Sequence, residues 1–170
     1  EMIEALYPIE VERYGLVENS GGPGRFRGAP AFIRQYRLLG EEAILTMRSD
    51  RRYHLPYGLN GGYPGTPSWN IINPGPEQHI LPTMPMEAIE LTKGDVFCHI
   101  SAGGGGHSSP LEREPEAVLE DVLEERLSIE YAKLVYGVVI DSLDNVVIIE
   151  ATIQLRHQMK LAMAKKDHPD

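Results

Sequence analysis

Ser101-Ala102-Gly103-Gly104-Gly105-Gly106-His107 closes an apolar run and leads, through Ser109-Pro110-Leu111-Glu112-Arg113-Glu114-Pro115, to the start of a helix. Consecutive glycines lose more backbone entropy on folding than any other residues. An ordered chain keeps them where φ must be positive or where something packs directly on the backbone. With a helix start so close, the loop can offer amides to a carboxylate, a phosphate or a neighbouring protein. A flexible connector is the other reading of the glycines, and the fixed spacing to the helix weighs against it.

Working outward, the two sides of this run differ in character. The first hundred residues are punctuated by glycine and proline as an all-β region would be. Ile9 to Leu16 reads as a strand, and Ser20-Gly21-Gly22-Pro23-Gly24 as a turn. Ala31–Leu39 and Ala43–Ser49, separated by Gly40-Glu41-Glu42, predict an antiparallel hairpin. In the second run Ala43, Leu45 and Met47 share one face. Residues 56–85 carry seven prolines and five glycines, which predicts a long irregular excursion with a tight turn at Asn60-Gly61. A short strand at Ile89 and Leu91 turns at Lys93-Gly94-Asp95 into Val96–Ile100.

Beyond Glu114 the pattern becomes helical. Pro115 suits a first turn, and Val118, Leu119, Val122 and Leu123 form a stripe. Ser128 is placed to cap a second helix carrying Ile129, Ala132 and Tyr136. Val138–Ile140 and Val146–Ile149 flank a hairpin at 141–145, and a last helix starts near Ala151 with Leu155, Met159, Ala162 and Met163 on one side. Its tail, 165–170, is expected to fray. The fold class is therefore α+β: one domain, with a β-rich antiparallel body over about 1–101 and appended helices with a hairpin over about 114–166.

Composition narrows the function classes. With 170 residues, 42% hydrophobic and 24% charged, the chain suits a soluble domain that buries roughly 70% of its unfolded surface. No apolar run approaches the ~20 residues of a membrane span, and the single cysteine, Cys98, cannot form an internal disulfide. A cytoplasmic location and no membrane partner are expected. The net charge is −9, and 112–130 set eight acids against Arg113 and Arg126. Those acids are expected to coat the solvent face of a helix. An acidic chain without a basic stripe argues against nucleic acid. The opening Glu1-Met2-Ile3 reads like the middle of a protein, so a fragment or a processed product is expected.

Candidate chemistry is sparse. Arg48-Ser49-Asp50-Arg51-Arg52 with His54 is the densest polar cluster, and Arg48 and Asp50 at a strand end would share a face able to hold an anionic or amide-bearing group. A surface ion-pair patch is the bland reading. Arg25 and Arg27 are expected to straddle Phe26 and fix the turn, which lacks the lysine of a P-loop. No two of His54, His79, His99, His107, His157 and His168 fall at a metal-ligand spacing, and His107 alone has a context that suits catalysis. The substrate-binding or interface candidates are Arg48, Asp50, Arg51, Gly103, Gly104, Gly105, Gly106 and His107. Catalytic residues are unassigned, and no metal site is expected. The glycine run and the arginine cluster each sit at a strand end, on a shared edge or on opposite ones.

Several motifs in register resemble the hydantoinase B family. They are Ser20–Gly28, Arg48–Arg52, Pro56–Gly62, Gly103–Gly106 with Pro110–Val122, and Tyr136-Gly137-Val138-Val139, spanning about Leu6 to Asp141. The family includes B-type subunits of ATP-dependent hydantoinases and N-methylhydantoinases, half of the 5-oxoprolinases, and acetone and acetophenone carboxylase subunits. The resemblance implies that this chain is the C-terminal portion of a longer B-type polypeptide, inactive when isolated. It also implies a partner, an A-type subunit that binds ATP, and a small cyclic-amide substrate. ATP and a divalent metal are implied for the full complex, with no cofactor on this chain, since the family's metal-binding residues lie in an earlier part. Where family members read tyrosine-glycine-aspartate-proline, this chain has His107-Ser108-Ser109-Pro110. A ketone carboxylase component and a non-catalytic assembly module are the alternatives.

Overall fold

The computed structural model describes residues 2–167. His168 and the end of the tail expected to fray lie outside the described residues. A short helix α1 (Met2–Leu6) precedes β1 (Ile9–Leu16), β2 (Phe32–Leu38) and β3 (Glu42–Leu45). Next come β4 (Trp69–Ile72), β5 (His79–Ile80), β6 (Ile89–Thr92) and β7 (Val96–Ile100). After a 3₁₀ turn at Pro110–Glu112 come α2 (Pro115–Leu123), α3 (Ile129–Tyr136), the hairpin β8 (Ile140–Asp141) and β9 (Val146–Val147), and α4 (Ile149–Asp167). The α+β architecture read from the sequence is the one observed.

Five strands pair antiparallel in the order β1-β2-β7-β4-β5, and β3 pairs with β6 in a separate two-stranded ribbon. Two expectations need correction here. β2 and β3 do not form a hairpin: β2 pairs with β1 and β7, while β3 crosses to β6. The turn at Gly40 is real, but it feeds a different layer. The ribbon lies against the sheet, with Ala43, Leu45 and Leu91 facing Ile9, Tyr36, Leu38 and Phe97 across a small apolar gap. Ala43, Leu45 and Met47 are the less exposed set, as the alternation predicted. Residues 56–85 are not wholly irregular, since β4 and β5 lie within them and β4 pairs with β7. The tight turn at Asn60-Gly61 is present, with φ of 50° and 89° and Gly62 N donating to Leu59 O.

In the helical part, Pro115 opens α2 and Ser128 Oγ caps α3 by accepting from Tyr131 N at 3.1 Å. Val118, Leu127, Ala132, Tyr136, Val138 and Ile140 pack into one core. Leu123, expected on the stripe, is exposed, and α4 starts at Ile149 rather than Ala151 because the hairpin is shorter than its β-branched runs suggested. Tyr136 is fully buried. Its hydroxyl meets no partner among the described residues, and burial pushes its pKa up to about 12.

Asp121 corrects the expectation that the acids of 112–130 all face solvent. It is 1% exposed and receives three arginines. Arg27 Nε and Nη2 donate to its two oxygens at 3.1 and 2.9 Å, Arg113 Nη2 donates at 2.8 Å, and Arg126 Nη1 stands 3.5 Å away. Arg113 also donates to Arg25 O, and Arg156 on α4 donates to the carbonyls of Tyr136 and Arg113. One carboxylate thus fastens the turn at 25–28 to α2 and the 3₁₀ segment. Removing it would leave buried guanidinium groups unbalanced, a defect of about 3–5 kcal/mol. Asp121→Ala is expected to lose stability of that size in urea unfolding, and a loss below about 1 kcal/mol would show that the cluster does not fasten the two parts.

Candidate functional site

The glycine run lies where the sheet ends. β7 continues past Ile100, with Ser101 N donating to Phe32 O and Ser101 Oγ accepting from Phe32 N. The segments leading into β2 (residues 20–31) and into β4 (residues 56–68) flank it on either side, so the order β2-β7-β4 persists beyond the ladders. On one side Gly22 N donates to Gly104 O at 2.7 Å, Gly104 N to Ala29 O at 2.8 Å and His107 N to Phe26 O at 2.9 Å. On the other, Gly103 N donates to Thr66 O, Gly106 N to Tyr63 O and Leu59 N to Gly106 O, at 2.9–3.1 Å. The outer segments also meet, with Tyr63 N donating to Pro23 O and Thr66 N to Ser20 O.

This packing explains the glycines. A Cβ on Gly103 would run into the Ser20 carbonyl, on Gly105 into that of Tyr57, and on Gly106 into that of Pro23. On Gly104 it would stand 2.9 Å from Ala29 N. The outer glycines answer in kind, since Gly22, Gly28, Gly62 and Gly65 would each place a Cβ on the backbone of 103–106. None of Gly103–Gly106 has a positive φ. Of the two reasons for keeping glycines, close approach is the one at work.

Gly103 to Gly106 therefore do not form a cradle for a ligand, because the amides of Gly103, Gly104, Gly106 and His107 already donate to carbonyls. Among the described residues no three of His, Cys, Asp and Glu gather to hold a metal ion. These residues do not fit ATP or a divalent metal, and no step through either is assigned to them.

The remaining candidates divide. His107 joins the bundle: its ring contacts Asn60 Nδ2 at 2.9 Å and Ser108 Oγ at 3.0 Å and packs beside Phe26. Arg25 stacks on Phe26 as expected, whereas Arg27 turns away to Asp121. β3 ends at Leu45, so Arg48 and Asp50 follow the strand rather than end it. Asp50 and Arg51 form an exposed pair at a turn where Arg51 has φ 66° and its N–H donates to Asp50 Oδ1. Arg52 is an anchor: it stacks over Trp69 at 4.8 Å and donates to the carbonyls of Ser68 and Leu81. The cluster and the glycine run are neighbours through residues 66–68. Thr66 O accepts from Gly103 N, and Ser68 N and Oγ donate to the carbonyls of Arg51 and Asp50.

Sequence reasoning missed a polar row across the sheet. Registers place Tyr14 opposite Arg34, Arg34 opposite His99, and His99 opposite Asn70, four side chains on one face. Asn70 is fully buried. It donates to Ser49 Oγ at 2.7 Å, and its Oδ1 accepts from His99 Nδ1 at 2.7 Å. Burial, and secondarily the charge of Arg34, lowers the pKa of His99, so its ring is neutral near pH 7. Burial likewise raises Cys98, which stays a thiol.

The Hydantoinase B/oxoprolinase family model matches residues 1–110. The chain belongs to that family. It is 37% identical over 159 residues to an uncharacterised protein of Methanocaldococcus jannaschii, covering 92% of this chain and 28% of that one. It is 32% identical over 141 residues to the B component of a putative D-/L-hydantoinase of Pseudomonas sp. (strain NS671), covering 82% and 24%. Among solved structures, the ATP-dependent caprolactamase of Pseudomonas jessenii superposes with a TM-score of 0.76 at 27% identity, over 92% of this chain and 27% of that one. The chain thus spans about a quarter of the length of these relatives. No helix among the described residues is long and apolar enough to cross a membrane.

The bundle makes a sharp mutational contrast. Gly103→Ala and Gly106→Ala must push backbone apart and are expected to destabilise by about 3 kcal/mol or more, above the usual overpacking range. Gly15→Ala, with nothing within 4 Å of its Cβ, is the control and should change stability by about 0.5 kcal/mol or less. Equal effects in thermal or urea unfolding would contradict the packing account.

Proposed function

We propose that this chain is the C-terminal part of the B-type component of an ATP-dependent cyclic-amide hydrolase of hydantoinase, N-methylhydantoinase or 5-oxoprolinase type. The observation that carries the reading is the family match over residues 1–110, which contains the 20–31 and 56–68 segments and the whole of the glycine run they enclose. A relative named as a hydantoinase component and a structural neighbour named as an ATP-dependent caprolactamase support that reaction class. Hydantoins, 5-oxoproline and caprolactam share a ring amide, which is a poor electrophile. ATP then enters through a partner, an A-type nucleotide-binding subunit in the cytoplasm.

In this reading the chain supplies scaffold and surface. The glycine bundle fixes the ends of β2, β4 and β7 relative to one another by direct backbone contact. The exposed Asp50–Arg51 turn and the loop with Tyr53, Tyr57 and Asn60 are held against that bundle, which makes them a suitable face for the rest of the assembly. Arg51 and Asp50 sit there as interface groups, while Arg48 lines a pocket on the sheet.

The experiment is a coupled assay of the complete B-type polypeptide, expressed with its A-type partner, against hydantoin, 5-oxoproline and caprolactam. ADP release in step with ring opening of at least one of them is expected. Ring opening without ATP consumption, or none of the three rings opened while acetone is carboxylated, would overturn the reading.

A further inference from the structure

The polar row on the sheet opens into a pocket of about 300 Å³, lined by Arg34, Tyr36, Phe97 and His99 from the sheet and by Thr46–Arg48 from the strap that follows β3. Its chemistry is unusual for a chain of net charge −9. Two arginines face it, and among the described residues neither is paired with a carboxylate. Arg34 lies over the rings of Phe32 at 4.6 Å and Tyr14 at 5.5 Å, and its buried Nε meets no acceptor. Arg48 is exposed and makes no hydrogen bond or ion pair with any described residue. By contrast, Arg27, Arg37, Arg113 and Arg126 all reach carboxylates.

The third wall is equally prepared. Asn70 is locked by Ser49 and fixes the His99 ring through Nδ1, which leaves Nε2 as the ring atom open to a ligand. Phe32 packs edge-on to the same ring at 6.0 Å. A guanidinium over aromatic faces, a second one on an adjacent strap and a fixed imidazole form a preorganised oxyanion receptor.

We propose that this pocket binds a small molecule through a carboxylate or phosphate group, held between Arg34 and Arg48, with His99 Nε2 donating the third contact when the ring is protonated. The inference does not rest on the cyclic-amide reading, because it concerns binding of an anion whether or not a ring is opened. Binding is coupled to protonation. The groups facing His99 are Arg34 and Tyr36 from β2, Arg48 from the strap and Asn70 from β4. The bound anion offsets the repulsion of the two arginines and favours the imidazolium.

The test uses the complete protein that carries this chain, with inorganic phosphate and acetate as separate probes, followed by NMR of the labelled His99 imidazole. Expected are saturable shifts at His99 with at least one probe and an upward movement of its titration midpoint. Binding should weaken by about tenfold or more in both Arg34→Gln and Arg48→Gln, as loss of one charge-assisted hydrogen bond implies. Arg13→Gln, an exposed arginine outside the pocket, should bind as the parent does. Arg48 is exposed and bonds to no described residue, so Arg48→Gln should leave the unfolding transition unchanged, which a urea melt of the variant checks. Phosphate binding alone, or acetate alone, supports the receptor and names the group it takes. No saturable shift with either probe, as when an acidic side chain from elsewhere in the protein already fills the pocket, would overturn the proposal. Equal weakening by Arg13→Gln would overturn it too, by reducing the effect to general charge screening.

Discussion

Three stretches of main chain lie directly against one another, and the rest of the molecule is arranged around that contact. Residues 103–107 run between 20–31 and 56–68, exchanging hydrogen bonds with both. Ordinary strands sit about 4.7–4.9 Å apart within a sheet and keep their side chains above and below it. Here the backbones also approach along the direction a Cβ would occupy, which only glycine permits. The approach sets where β2, β4 and β7 emerge, and with them the register that aligns Arg34, His99 and Asn70.

A second fastening ties this bundle to the helices. Asp121 takes charge-assisted hydrogen bonds from Arg27 and Arg113, and Asn19 pairs with Ser128 through both its amide atoms. Buried ion clusters add little net stability over apolar packing, but a half-removed one is severely destabilising. Their value lies in geometry: the guanidinium plane of Arg27 fixes the angle at which α2 meets the turn at 25–28.

Much of the architecture is legible in local signals. The strand at 9–16, the cap at Ser128 and the change of character at Glu114 are of this kind, and the structure keeps them. What escaped was whatever depends on non-local pairing. β3 follows β2 after a good turn signal yet pairs with β6, because its apolar face covers the sheet rather than extending it. β4 is hidden in a segment dense in proline and glycine, and its pairing with β7 and β5 is what makes it a strand. The polar row needs the registers of three strands before Arg34, His99 and Asn70 appear together. Asp121 could have been flagged, since it lies three residues after Val118 and next to Val122, on the stripe read as apolar.

The central claim is that Gly103–Gly106 form an ordered, bonded backbone core rather than a loop with amides to offer. Hydrogen exchange of the complete protein, read residue by residue, tests it directly. The amides of Gly103, Gly104 and Gly106 should be protected to the level of the β7 amides, and slow exchange there should vanish only with global unfolding. Exchange of these three at the rate of an exposed loop, while β7 stays protected, would contradict the account.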